Sequence, residues 1–329
     1  MSAIDKLNYN PKIVVIGGGT GISNILRGIK KFTNNVIAIV TVADDGGGSG
    51  ILRNELGILP PGDIRNCLIA LANTEPVMKE LLKYRFEEGN LKNQNFGNLF
   101  IAAMIGITNS FEEAIKKVSE VLAITGKVLP VTTESLVLKA ELLNGIIVEG
   151  ESKIPNEVIK YNTKIKKIFI TPDNVKPLDD CVSEILDADA IILGPGSLYT
   201  SILPNLKICS ICDAININKG VKIYISNIMT QPGETDDYTL YDHVISIFKN
   251  TDILNIDYVI ANDKTLNNYI FEKYNCKNSK QVICDDDKLF EINTKVIKKD
   301  LIKIKNNFIR HDEEKLSRII IDIININLF

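Results

Sequence analysis

The stretch Lys12–Gly21, which reads KIVVIGGGTG, decides the fold class of this chain. Its apolar half stops at glycine, and Ile22–Phe32 then follows with apolar residues at helical spacing. This order predicts a strand, a tight turn and a helix. Glycine lets backbone N–H groups approach a bound anion closely, so the turn indicates a phosphate site, although strand-to-helix turns also use glycine for packing alone.

Three more strand ends carry glycine- or asparagine-rich turns. These turns are Asp44–Gly50, Gly194–Ser197 and Ser226–Asn227. The strand before the first of them, Asn35–Ala43, lacks polar alternation, which is typical of a parallel strand covered on both faces. Because the carboxyl ends of parallel strands share one edge of a sheet, the four turns together predict a phosphorylated ligand at that edge.

The domain organisation reads as one α/β domain over residues 1–329 with an insertion. Residues 127–170 are rich in β-branched side chains, and Asn144–Gly145 stands between two apolar runs, which is a strong hairpin signal. We therefore expect a small antiparallel β insertion over 127–170 and a C-terminal helix over 311–329. Asp63 is expected to cap a helix that runs on to Asn73.

Composition excludes some classes of protein. The formal net charge is −3, with 45% hydrophobic and 24% charged residues, so the chain has no electrostatic footprint for nucleic acid. No apolar run is long enough to cross a bilayer, and Met1–Asn10 has no leader pattern, so we expect a cytoplasmic protein without membrane insertion.

Cysteine and histidine offer little material for catalysis or metal binding. Of six cysteines, only Cys209 and Cys212 have metal-like or redox-like spacing, and buried reduced thiols are the simpler interpretation. The two histidines are His243 and His311, and no Ser-His-Asp or Cys-His arrangement is evident. Packing or surface roles are expected for both.

The acidic pair Asp44 and Asp45 leaves several roles open. Together they could hold Mg²⁺ through one carboxylate and water, accept hydroxyl groups from a sugar or base, or form a surface turn. Arg53 and Arg65 lie nearby in sequence, and their guanidinium groups suit a phosphate or an ordinary salt bridge. A dinucleotide fingerprint is incomplete because Ile22 replaces its third glycine, which disfavours an NAD-dependent dehydrogenase.

Later loops add further polar groups. Ser197 and Thr200 supply hydroxyls that suit an anion, and Asn227 brings an amide to the next strand end. Arg310, just before the last helix, could close over a ligand or form a helix-edge ion pair.

Taken together, these stretches resemble the YvcK/CofD family, and more closely its YvcK branch, the gluconeogenesis factors. The motifs that carry the resemblance are Gly17–Gly21, Ala43–Gly47, Leu59–Cys67, Phe96–Leu99, Gly194–Ser201, Asn227–Thr235 and Arg310–Asp312. One departure is Glu313, which stands where some relatives have a phosphorylatable hydroxyl residue. The sequence therefore leaves phosphoregulation at that position open.

The resemblance implies a Rossmann-like three-layer αβα sandwich with a mainly parallel sheet. In the YvcK branch it implies binding of UDP-sugars such as UDP-N-acetylglucosamine, without a required cofactor, and a role in cell shape during growth on gluconeogenic substrates. In the CofD branch the same scaffold is a transferase that moves a phospholactyl group with Mg²⁺ during coenzyme F420 synthesis. We expect the first, a regulator with a nucleotide-sugar ligand and unidentified protein partners, and leave enzymatic activity and homo-oligomer formation open.

The expected contacts follow from this reading. Gly18–Gly21 and Gly196–Ser197 would contact the diphosphate, while Asp44, Asp45, Asn98 and Asn227 would fix the nucleoside or sugar. In the transferase alternative, Asp44 or Asp45 holds the metal and Arg65 stabilises phosphate charge. The full candidate set is Gly18, Gly19, Thr20, Gly21, Asp44, Asp45, Asp63, Arg65, Asn98, Gly194, Gly196, Ser197, Asn227 and Arg310.

Overall fold

A seven-stranded parallel sheet forms the centre of the protein. The structure, a computed structural model, describes residues 10–266, 278–305 and 308–328. The strands are β1 Ile13–Gly17, β2 Val36–Val40, β3 Lys127–Pro130, β4 Val137–Leu142, β5 Ile147–Glu149, β6 Ile165–Thr171, β7 Ala190–Leu193, β8 Val221–Ile225, β9 Tyr258–Asn262, β10 Lys295–Lys299, β11 Ile302–Lys305 and β12 Phe308–His311. The order across the main sheet is β3-β2-β1-β7-β8-β9-β10.

Helices cover the sheet and connect its strands. They are α1 Gly19–Ile29, α2 Gly47–Leu56, α3 Gly62–Leu71, α4 Pro76–Lys83, α5 Phe96–Thr108, α6 Phe111–Val121, α7 Ile154–Lys160, α8 Asp179–Leu186, α9 Leu203–Leu206, α10 Cys209–Ile217, α11 Leu240–Asn250, α12 Asp286–Phe290 and α13 Glu313–Leu328. A π-helical turn, Leu198–Ile202, leads into α9. Among the residues that the structure describes, no helix combines the length and hydropathy that a membrane crossing requires.

The strand order explains where a ligand can bind. Every residue of β1, β2, β7 and β8 is buried, as expected for parallel strands with helices on both faces. The chain builds outwards from β1 to β3 on one side and from β7 to β10 on the other, so β1 and β7 flank a topological switch point. A crevice at the carboxyl ends of these two strands is the usual ligand position in such sheets.

The predicted fold class, a mainly parallel α/β sheet with a small antiparallel part, is confirmed. β4, β5 and β6 form a separate three-stranded antiparallel sheet. Within the stretch 127–170, β3 pairs in parallel with β2 at the edge of the main sheet. The apolar residues of β3 therefore belong to the main sheet and not to the antiparallel insertion. The last helix begins at Glu313, after β11 and β12 form a two-stranded hairpin.

The start of α3 corrects one expectation. Asp63 was predicted to cap this helix, but the cap position is Pro61, and α3 begins at Gly62 without a side-chain cap. Asp63 is the second residue of the helix, and its carboxylate lies at the amino end of α1, where the backbone of Gly19 and Thr20 acts to lower its pKa. It therefore serves a neighbouring helix, α1.

Glycine is required where α1 begins because two backbones meet there. A β-carbon at Gly19 would overlap the carbonyl oxygen of Asp63, and one at Gly21 would overlap the carbonyl oxygen of Pro195. The first turn of α1 is thus packed between α3 and the loop after β7. This contact places the four predicted turns along one edge of the sheet.

We predict that Gly19→Ala destabilises the protein by about 2 kcal/mol or more, because the added methyl group must push α1 and α3 apart. Gly106→Ala in α5 is the matched control, since a β-carbon there meets no atom within 4 Å. Alanine should stabilise that exposed helical position by about 0.5–1 kcal/mol. Urea unfolding measures the change in stability of each variant. A Gly19→Ala variant that is as stable as Gly106→Ala would contradict the packing argument.

Candidate functional site

A cleft of about 470 Å³ opens at the switch point between β1 and β7. It brings together six of the predicted site residues, from four separate chain segments. They are Thr20, Gly21, Gly196, Ser197, Asn227 and Arg310. Gly18, Gly19 and Gly194 lie outside this lining.

The floor of the cleft is a network of side-chain amides. Gln231 Nε2 donates to Ser197 Oγ at 2.6 Å, and Asn227 Nδ2 donates to Gln231 Oε1 at 3.2 Å. Asn227 Oδ1 accepts from the backbone N–H of Gly196 at 3.4 Å. Gln231, which sequence reasoning named only as part of a loop, therefore links the two strand ends.

Arg310 forms one wall of the cleft. Its side chain is exposed, and its Cζ lies 5.5 Å from the centre of the Phe308 ring. Its Nη1 donates to the carbonyl oxygen of Ile309 at 2.9 Å. Among the described residues the guanidinium makes this backbone contact and the contact with the Phe308 ring, and its remaining N–H groups can reach an anion in the cleft.

The next residue, His311, fixes this wall to the sheet. It is buried, its Nε2 lies 3.1 Å from the carbonyl oxygen of Ser226, and its own carbonyl accepts from Asn24 Nδ2 at 2.6 Å. Burial lowers the pKa of His311 to about 4, so the imidazole is neutral at physiological pH. As expected from the sequence, it acts in packing.

The other predicted residues form a second group beside the cleft. Asp63 occupies the amino end of α1, where its pKa is raised to about 6 by burial and then by the charge of Asp44. Helix amino ends attract anions. At α1 the protein places a carboxyl group of its own, Asp63, at that position.

Arg65 links the two groups. Its Nη1 donates to Asn98 Oδ1 at 2.6 Å, and its Nη2 donates to Asn66 Oδ1 at 2.8 Å. Asn66 in turn donates to Thr20 Oγ1 at 3.2 Å, at the rim of the cleft. Burial, followed by the charge of Arg85, lowers the pKa of Arg65 to about 10, which leaves it a cation at neutral pH.

Asp44 and Asp45 point to different partners. Asp44 Oδ1 accepts from the backbone N–H of Gly46, and Asp45 Oδ1 accepts from that of Ser152 in the antiparallel insertion, both at 2.9 Å. Carboxylate oxygens suit Mg²⁺, but the described residues contain no group of three or more metal-ligating side chains. Magnesium at Asp44 or Asp45 therefore stays a prediction, and would rely on water and substrate phosphate.

Arg53 has a structural role. Its Nη2 donates to the carbonyl oxygen of Leu136 at 2.6 Å and to Ser135 Oγ at 3.1 Å. These bonds hold the start of the antiparallel insertion, and the phosphate role considered for Arg53 stays a prediction.

Two acidic residues were missed by sequence reasoning. Glu234 is only 7% exposed, accepts from Thr200 Oγ1 at 3.3 Å, and has no hydrogen-bond partner at Oε2. Thr200 was expected to face an anionic ligand, but its hydroxyl serves Glu234 and Glu151. The only sequence signal for Glu234 is its position in the loop after β8.

Burial moves the pKa values of these carboxyl groups towards neutral pH. Burial raises the pKa of Glu234 to about 7, and burial followed by the charge of Asp44 raises the pKa of Glu151 to about 8. Together with Asp44 and Asp63 they form what we call the acidic cluster. The cluster can hold protons beside the cleft.

We predict that the acidic cluster makes the protein less stable as pH rises from about 5 to 8. In the folded state the pKa of Glu234 exceeds that of an exposed glutamate, so the folded protein binds more protons in this interval and loses stability as they dissociate. Glu234→Gln should reduce this loss by on the order of 2 kcal/mol. Urea unfolding at several pH values tests it, with exposed Glu120→Gln as the control; parallel pH profiles for wild type and Glu234→Gln would contradict it.

Comparisons with known proteins agree with this architecture. The profile of one protein family, described as 2-phospho-L-lactate transferase CofD, matches residues 13–302. A crystal structure of a UPF0052 family member from Bacillus halodurans superposes with a TM-score of 0.90 at 44% identity, covering 94% of this chain and 98% of that one.

Relatives of high identity share one name. A protein from Thermoanaerobacterium thermosulfurigenes, named provisionally as a gluconeogenesis factor, is 54% identical over 95% of this chain and 97% of its own length. The gluconeogenesis factor of Bacillus subtilis is 44% identical over 97% of this chain and 99% of its own length. A family profile over most of the chain and these full-length similarities place it without ambiguity: the chain belongs to the YvcK/CofD family, in the branch of the gluconeogenesis factors.

Proposed function

We propose that this protein is a regulator that binds a nucleotide sugar of the UDP-N-acetylglucosamine type in the cleft between β1 and β7. The observation that carries the proposal is the meeting of backbone amides, hydroxyls and one guanidinium from four chain segments at the switch point. Within the described part of the chain, no nucleophile with an adjacent general base lines the cleft. Binding is therefore favoured over catalysis.

The diphosphate is assigned to the side of the cleft that holds Ser197 and Arg310. A guanidinium matches two phosphate oxygens in its plane, and Arg310 uses only Nη1, in a bond to the carbonyl oxygen of Ile309, among the described residues. The backbone at Gly196 and the hydroxyls of Ser197 and Thr20 add neutral donors. Asp63 disfavours an anion at the amino end of α1, because its own carboxyl group lies there.

The uracil or the sugar is assigned to the amide side of the cleft. Asn227 and Gln231 each offer donors and an acceptor, and they bond to one another without a ligand. The neighbouring Ile228 and Met229 line the same cleft and supply apolar contact. A volume of about 470 Å³ lies in the range of small-molecule sites.

The cellular role is proposed through the family. The relatives are named gluconeogenesis factors, and we extend this to control of morphogenesis and cell shape during growth on gluconeogenic carbon sources, with the nucleotide sugar as the signal. Protein partners would read the bound state. A deletion strain grown on a gluconeogenic carbon source should lose normal shape, and an allele that cannot bind the ligand should show whether the signal is needed.

We predict that UDP-N-acetylglucosamine binds the protein and that Arg310→Ala weakens this binding by about tenfold or more, because a charged hydrogen bond to the diphosphate is lost. Arg318→Ala removes an exposed arginine on α13 and serves as the matched control. Isothermal titration measures both. An absence of binding at millimolar ligand, or equal affinity in the two variants, would refute the assignment.

A second candidate function is Mg²⁺-dependent phosphotransfer of the CofD type. It is favoured by the acidic cluster, which lies at the same edge of the sheet as the cleft, with Arg65 between them. A bound Mg²⁺ would supply charge neutralisation at the transferred phosphate. Asp44 would hold the metal, and Arg65 would orient a phosphate oxygen.

We predict for this second function that turnover of a nucleoside-diphosphate-linked donor needs added Mg²⁺ and falls at least a hundredfold in Asp44→Asn, because one removed electrostatic stabiliser of a transition state costs on that order. Asp45→Asn distinguishes the role of Asp45 from that of Asp44, because Asp45 accepts a hydrogen bond from the backbone N–H of Ser152. Product release is followed with and without a chelator. Turnover that persists in Asp44→Asn would eliminate the proposed metal role.

A further inference from the structure

Helix α10 begins with two cysteines that lie one turn apart. Cys209 is the first residue of this nine-residue helix, and Cys212 is the fourth. Both are free thiols, and no other pair among the six cysteines of the sequence has this spacing. Two cysteines separated by two residues, with the first at the start of a helix, form the redox centre of many thiol–disulfide oxidoreductases.

The position of α10 in the fold is also the one in which this motif is usual. The chain runs from β7 through α9 and α10 to β8, and β7 and β8 are parallel neighbours in the main sheet. α10 is therefore the longest helix of a β-α-β crossover. A cysteine pair with this spacing beside a β-α-β unit indicates thiol–disulfide chemistry.

The two thiols lie in different environments. Cys209 is exposed, as is Ser210 beside it, so a small molecule can reach Cys209 Sγ from solvent. Cys212 is fully buried, and burial raises the pKa of its thiol to about 12. The sequence-based expectation of a buried thiol is thus confirmed for Cys212 and wrong for Cys209. In redox sites, an accessible sulfur reacts first and a neighbouring cysteine resolves the product.

The side chain of Cys212 lies towards the amino end of α10. Its thiol donates to the carbonyl oxygen of Leu206 at 2.9 Å, and Leu206 precedes Cys209 in the chain. Helical side chains lean over the preceding turn, so the Cys212 side chain lies on the face that carries Cys209. An ideal helix places Cα atoms three residues apart at about 5 Å, within the range of roughly 4.4–6.8 Å that disulfides span.

The amino end of α10 can make the small adjustment that a disulfide requires. β-Carbons three residues apart on a helix are about 5–6 Å apart, whereas a disulfide needs roughly 3.5–4.5 Å. Cys209 is the first helical residue, and Ile208 before it is extended, with φ −85° and ψ 104°. The first backbone N–H groups of a helix have no partner within the helix, so this turn can tighten without breaking helical hydrogen bonds.

A metal site is a poorer interpretation of the same pair. A tetrahedral metal site needs three or four protein ligands, and two thiols supply only half of a closed set. The part of the chain that the structure describes contains no group of three or more metal-ligating side chains. Redox exchange needs only the two sulfurs that α10 brings together.

We propose that Cys209 and Cys212 form a redox modification site that reacts with low-molecular-weight disulfides and closes into an intramolecular disulfide. Neither residue belongs to the lining of the cleft between β1 and β7. The proposal therefore does not rest on nucleotide-sugar binding.

The exchange has two balanced steps. Cys209, as a thiolate, attacks one sulfur of the small disulfide, which gives a mixed disulfide and releases one small thiolate. Cys212, as a thiolate, then attacks Cys209 Sγ and releases the second small thiolate. The two protons of the cysteine thiols pass through water to the released thiolates, and two electrons pass from the protein to the small disulfide. A reducing dithiol reverses both steps.

Treatment of the whole chain with mixtures of glutathione disulfide and glutathione tests the proposal. After free thiols are blocked with N-ethylmaleimide, mass spectrometry of proteolytic peptides identifies the state of each cysteine. Cys209 and Cys212 should lose their free thiols together, and the peptide that holds both should lose the mass of two hydrogen atoms. Dithiothreitol should restore both thiols.

Variants separate the roles of the two sulfurs. Cys212→Ala should carry glutathione on Cys209 at a level about tenfold or more above that of wild type, because the resolving thiol is absent. Cys209→Ser should leave Cys212 unmodified, because the buried sulfur is not accessible to the small disulfide. Cys284→Ser removes a half-buried thiol on another element and is the control, which should form the same internal disulfide as wild type.

Three outcomes would overturn the proposal. The first is a stable glutathione adduct on wild-type Cys209 without the internal disulfide, because it would show that Cys212 does not reach Cys209. The second is an absence of reaction at Cys209 in excess glutathione disulfide, and the third is a disulfide between Cys209 and any cysteine other than Cys212. All three are measured on wild-type protein, so the test holds even if Cys212→Ala does not fold.

Discussion

The close contact of three backbones at the first turn of α1 is the constraint on which the rest of the structure depends. Gly19 meets the backbone of Asp63, and Gly21 meets that of Pro195, at separations that leave no room for a side chain. This contact joins the segments that follow β1, β2 and β7 into one edge. Since packed cores hold their elements within fractions of an ångström, the cleft and the acidic cluster keep a fixed spacing relative to each other.

The same contact determines where the charged groups lie relative to the cleft. Asp63 enters the amino end of α1 and neutralises the helix dipole from within the protein. In the complex that we propose, a ligand anion would lie across the cleft instead, at Ser197 and Arg310. Arg65, bonded to Asn98 and Asn66, connects the acidic side to the rim without facing the cleft itself.

Much of the fold could be predicted from local patterns. The apolar runs before Gly17, Asp44 and Gly194 identified strands of the parallel sheet, because each strand is buried along its whole length. The roles of single side chains could not. Whether Asp63 serves its own helix or a neighbour, and whether Thr200 faces a ligand or Glu234, depends on contacts between segments far apart in sequence.

Arg310 and His311 are adjacent on β12, so the register of this strand determines which of the two side chains is buried. Neighbouring strand residues point to opposite faces, so the guanidinium of Arg310 is exposed while the imidazole of His311 is buried against Ser226, although both residues border the cleft. A shift of the strand by one residue would turn the imidazole outwards and bury a guanidinium beside Ser226. A one-residue insertion within the strand, before Arg310, should therefore exchange the two environments, whereas a two-residue insertion preserves them.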